Sequence, residues 1–156
     1  MKGLPRLGLA AALAAALVAQ VLRARDLARA QTVLRSVEAR SSEIARGTSV
    51  DSRVLRAHLL ALDDAQRLDP AEVAIPIARG NQYLLLGAYE SAIEAYRAAQ
   101  RLERRPETHL NLAEALLRLD RRDEAIAELA LVLRLDPMLG KRVPRELEAE
   151  VRARSK

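Results

Sequence analysis

Apolar side chains recur every three to four positions along most of the chain, the spacing of one face of an α-helix. The pattern predicts helices over 72–86, 89–103, 106–119 and 122–135. Short breaks containing Gly87 or Asp120 join them in pairs. Pro106 stands where it can open a helix as its first residue, and Pro70 and Pro137 close the helices before them. Upstream, 51–70 reads as a further amphipathic helix that Ser49 or Asp51 can cap. Leu27, Leu34, Val37 and Ile44 mark another over 27–46, ended by Gly47-Thr48-Ser49. At the far end, 144–154 places Leu147 and Val151 on one face and charge elsewhere, as a capping helix would.

The helices repeat. Arg67-Leu68-Asp69-Pro70 returns as Arg134-Leu135-Asp136-Pro137, with a near-copy halfway between them at Arg101-Leu102-Glu103-Arg104. The chain therefore counts in units of about 34 residues. Gly87 to Tyr96 aligns without a gap on Asp120 to Leu129, and Gly80-Asn81-Gln82-Tyr83 on Ala113-Glu114-Ala115-Leu116. Small residues at Gly80, Gly87, Ala92 and Ala99, larger ones at Tyr83, Tyr96 and Leu102, and their counterparts Leu112, Ala113, Leu116, Ala125, Leu129, Leu135 and Pro137 make up the pattern. This resembles the tetratricopeptide repeat, a helix-turn-helix unit of that length.

The resemblance implies an all-α solenoid of antiparallel helix pairs, with 49–137 divided into a degenerate unit at 51–70 and full units at 71–105 and 106–137. Residues 138–156 then form the C-terminal cap and tail. Two departures stand out: His58 where a small residue belongs, and Arg104 where the first full unit should close with Pro.

In such arrays the first helix of each unit lines the inner surface. Here that implies a partner-binding groove of Ile77, Asn81, Leu84, Leu85, Leu110, Asn111, Glu114, Leu117 and Arg118, with Leu84, Leu110 and Leu117 equally suited to the core between helices. The relatives that clamp a C-terminal carboxylate carry Lys, Asn, Asn, Lys and Arg at five inner positions. These align with Ile77, Asn81, Asn111, Lys141 and Arg145, which makes Lys141 and Arg145 a candidate carboxylate contact. Ile77 breaks the match, and Pro144 falls inside the element that should present Lys141.

Residues 7–22, LGLAAALAAALVAQVL, carry no charge. As a helix they cover about 24 Å, against about 30 Å of bilayer hydrocarbon. Three readings remain open. One is an uncleaved signal anchor within 1–25, followed by a membrane-proximal helix over 26–48, in which Arg23, Arg25 and Arg29 reach the headgroups and Gly8, Ala12 and Ala16 form a small-residue face for another membrane helix. The second is a cleaved secretory signal ending near Ala14-Ala15-Ala16, which leaves a soluble exported protein. The third is a core helix of the repeat domain. The anchor is the expectation adopted, with the repeats on the exported side as a basic start before an apolar run suggests.

Composition narrows the function classes. The chain has no Cys, Phe or Trp and three Tyr, which removes thiolate chemistry, disulfides and aromatic stacking platforms for single strands. Its 26 basic and 21 acidic residues are interleaved, as on solvated helix faces, so no nucleic-acid partner is expected. His58 and His109 lie far apart, and Asp63-Asp64 and Glu146, Glu148 and Glu150 lack ligand spacing. The expectation is a protein without catalytic residues, metal, cofactor or small-molecule substrate. It would act as a membrane-anchored scaffold or adaptor that docks protein partners, as an accessory or assembly subunit of a membrane complex.

Overall fold

The computed structural model describes residues 4–45 and 51–156, the side chains of 4–11 and 42–45 excepted. Among the described residues the elements are helical: α1 Leu4–Ala45, α2 Ser52–Leu68, α3 Ala74–Leu85, α4 Tyr89–Leu102, α5 Pro106–Arg118 and α6 Arg122–Leu135. Two 3-10 turns, Pro137–Arg142 and Arg145–Leu147, then lead into α7, Glu148–Ser155. Each helix packs on the next, and α1 also reaches α3.

Local chemistry sets the boundaries. Asp51 caps α2 by accepting the Arg53 amide at 2.8 Å. Asp136 does the same for the turn after α6, accepting the Met138 amide at 2.9 Å. Pro106 occupies the first turn of α5, where its missing N–H costs nothing. Helices α3 and α5 end alike. The Ala88 amide bonds Tyr83 O at 2.9 Å and the Gly87 amide bonds Leu84 O at 3.0 Å, and one unit later Arg121 and Asp120 bond Leu116 O and Leu117 O in the same way. Both ends use a left-handed residue, Gly87 in the first and Asp120 in the second, each with a positive φ.

Two apolar clusters hold the stack. Tyr96, Leu112, Leu116, Ile126, Leu129 and Val132 centre one, which Val143, Leu147 and Val151 close at the C-terminal end. The other joins Ala30, Leu34 and Val37 of α1 to Leu62, Ala65, Ile75 and Ala78. The second half of α1 therefore stands in for the first helix of a unit whose second helix is α2. Gln31 Nε2 donates to Glu72 Oε2 at 2.7 Å, and Gln82 Nε2 donates to Ser41 Oγ at 2.8 Å, fixing α1 against the following helix pair.

The N-terminal segment and the membrane-proximal helix expected to continue from it form one unbroken helix, α1, over Leu4–Ala45. Residues 12–25 of α1 are exposed, including Leu13 and Leu17 at 63%. Among the described residues no helix is long and apolar enough to cross a membrane. Arg23 and Arg25 end the apolar run. The span expected of 7–22 thus finds no support in the fold. Ala12 and Ala16 are exposed, and Gly8 lies outside the described side chains.

Candidate functional site

The inner face is built on Tyr96. This residue of α4 is fully buried, and its ring lies where a Cβ on Gly80 would sit 2.4 Å from Cε1. Only glycine lets α3 approach α4 this closely, and the approach carries the Tyr96 hydroxyl through to the groove. There it donates to Asn81 Oδ1 at 2.7 Å. Burial, reinforced by the negative charge of Glu114, pushes the phenol well above its ordinary pKa, so it keeps its proton and stays a donor.

Asn111 Nδ2 donates to the same oxygen at 3.2 Å, tying α5 to α3. Asn81 Nδ2 and Asn111 Oδ1 are left without a protein partner among the described residues. One free donor beside one free acceptor is what a peptide backbone pairs with.

Two clefts flank these amides. The first, of about 250 Å³, runs between α1 and α3 and is lined by Val37, Ser41, Ile77, Asn81 and Arg105 among others. The second, of about 210 Å³, is lined by Leu110, Asn111, Glu114, Leu117, Arg142 and Pro144 among others. Leu85, at 41% exposure, is open to solvent. Leu84 and Leu117 are half-buried against the core, and Leu110 is a core residue at 7% exposure that reaches the second cleft only at its wall. Glu114 is 3.5 Å from Arg118, an exposed pair one helical turn apart.

The cations differ from those expected. Lys141 and Arg145 lie on the two 3-10 turns, exposed, and line neither cleft. Pro137 and Pro144 break the α-helix on which their alignment depended, and the turn brings Arg142 to the cleft instead. Arg105, also missed, enters the first cleft from the linker before α5, beside its partner Glu103 at 2.7 Å.

Both histidines serve as links between helices. His58 Nδ1 lies 3.0 Å from Gln82 Oε1, extending the Gln82–Ser41 bond into a chain across α2, α3 and α1. His109 is buried, with Nδ1 2.5 Å from Glu128 Oε2. Gln100 Nε2 donates to that same oxygen at 3.0 Å and lies 2.9 Å from His109 Nδ1, so the three side chains tie α4, α5 and α6 together. Among the described residues no group of three His, Asp or Glu side chains is placed to hold a metal ion.

Residues 83–140 match the tetratricopeptide repeat family model. No curated protein matches the chain. Among solved structures it is similar to the crystal structure of TTC0263, a thermophilic TPR protein in Thermus thermophilus. The two share 28% identity with a TM-score of 0.63, over 89% of this chain and 68% of that one.

Proposed function

We propose, from tetratricopeptide repeats as premise, that the chain is a non-enzymatic scaffold that docks an extended or helical segment of a protein partner on its inner face. The observation that carries this is the pair of amides at Asn81 and Asn111, locked by Tyr96 yet holding a free donor and a free acceptor between two clefts. Leu85 offers apolar contact, and Arg105 and Arg142 favour acidic groups at the two ends of the site. Side chains held rigidly by the core bind with less ordering cost than free ones.

The first half of α1 supports a second element of the reading, an accessory subunit held at a membrane with its repeats on the exported side. Leu13, Leu17, Val18, Val21 and Leu22 are all more than half exposed and point to several sides of the helix, a pattern that an apolar phase covers better than a single groove. A full span needs residues 4–11 as well, and Arg23, Arg25 and Arg29 lie where an interface would be.

Solubilising native membranes in mild detergent and purifying the full chain by a C-terminal tag tests both elements. The reading predicts a protein partner in near-stoichiometric amount and an intact mass that retains the N-terminal segment. Recovery from the soluble fraction, alone and shortened at Ala16, sinks the anchor. A groove variant that keeps the partner sinks the docking site.

A further inference from the structure

The outer side of the stack carries another cleft, of about 720 Å³, between α4 and α6. Its basic rim is Arg97, Arg101 and Arg104, and its apolar wall is Leu131 and Leu135, the latter 47% exposed. Arg97 is turned to Glu124 at 3.2 Å. The one carboxylate lining the cleft, Glu128, is engaged by His109 and Gln100. Arg101 and Arg104 are exposed and have no carboxylate within ion-pair distance among the described residues. Two cations without counter-charge thus face an apolar wall across a concave surface.

A further polar deficit lies in the same place. His109 lines the cleft, and its Nε2 is buried without a hydrogen-bond partner, although Nδ1 is held by Glu128. That atom is buried beneath the surface of the cleft, so contacts with a ligand there fall to the arginines and leucines.

We infer that this outer cleft is a binding site for an acidic, apolar peptide segment, whose carboxylates pair with Arg101 and Arg104 while its aliphatic side chains cover Leu131 and Leu135. Arginine offers a forked donor pair that matches a carboxylate, and leucine walls suit aliphatic side chains. None of the three tyrosines lines the cleft, so it offers bases no stacking surface and a nucleic acid fits it less well. The site is separate from the inner face, and one chain can hold two protein segments at once.

The test is selection from a random peptide library on the full chain in mild detergent, followed by fluorescence anisotropy of the enriched peptides. Arg101→Glu/Arg104→Glu is the main variant, Leu135→Gln a second, and Asn81→Ala/Leu85→Glu the inner-face control. Circular dichroism establishes that each is folded. The expected result is a set of peptides rich in Asp, Glu and Leu whose affinity falls at least about tenfold in the double arginine variant, falls less in Leu135→Gln and is unchanged in the control. Peptides without acidic residues, or acidic peptides that bind the arginine variant as well as the parent, overturn the inference. So does a labelled single-stranded oligonucleotide that binds more tightly than every acidic peptide. Peptides lost only in the inner-face control leave the proposed docking function standing while removing this site.

Discussion

The pairs α3–α4 and α5–α6 follow one pattern but fill its central hole differently. In the first, Gly80 leaves room for the ring of Tyr96; in the second, Ala113 is matched with the smaller Leu129. The volumes balance in each pair, as close packing requires. The polar consequences differ. Tyr96 carries a hydroxyl through the core to Asn81, so the first pair is wired to the inner face. Leu129 carries nothing, and the second pair instead places its buried polar link, His109 to Glu128, at the outer face. A repeat can thus keep its fold while directing its chemistry to opposite sides.

Substitutions can erase or exaggerate that contrast. The largest effect is expected for Gly80→Ala, whose Cβ falls within 2.7 Å of three Tyr96 ring atoms. It should cost about 2–3 kcal/mol in urea denaturation, whereas Ala113→Gly should cost only about 1 kcal/mol of helix propensity. Gly80→Ala/Tyr96→Leu, which copies the second pair into the first, should be markedly less destabilised than the sum of its parts.

Tyr96→Phe comes next. It removes the bond to Asn81 at a cost of about 1 kcal/mol and also changes the alkaline limb of stability. Because the folded-state pKa of Tyr96 is raised above the unfolded value, its contribution is fully present at neutral pH. It drains away once the pH exceeds the ordinary phenol value of about 10, where the unfolded chain ionises first. Denaturation midpoints against pH should therefore fall more steeply above that point in the parent than in Tyr96→Phe.

The helix ends give smaller effects. Asp120→Gly relieves a left-handed aspartate. It should gain up to about 1 kcal/mol, while Gly87→Ala should lose about as much. Smallest is Arg121→Ala, which breaks an exposed pair with Glu124. Its effect on stability should be the smallest of the set and vanish in high salt.

Much of the stack was legible in the sequence, because the small–large alternation at Gly80, Ala92 and Tyr96 is local and survives from unit to unit. The predicted helix over 72–86 forms at Ala74–Leu85, and that over 122–135 forms at those residues. The partner of a helix is not local information. The stripe of Leu34 and Val37 shows that α1 buries a face, but not that the face meets Ile75 and Leu62. That the N-terminal helix runs on past Arg23 is legible, since polarity changes there while helix propensity does not.

The site was legible to a lesser degree. Asn81 and Asn111 were placed on the inner face by alignment, and the structure bonds them to each other. Lys141 and Arg145 were placed by the same alignment, which assumed a helix where Pro137 and Pro144 impose 3-10 turns. Arg142 enters the groove for that reason. The His109–Glu128 link joins residues on successive helices, and no spacing rule within one helix reveals it.

The most direct test of the inner face as a docking site compares the full chain with Asn81→Ala/Leu85→Glu/Arg142→Glu. Each is purified from the same membranes, with circular dichroism to establish equal helix content. Quantitative mass spectrometry then measures what accompanies each. The account predicts a near-stoichiometric partner on the parent that falls at least about tenfold on the variant. The same partner at the same amount on both would show that the inner face is not where this protein holds another.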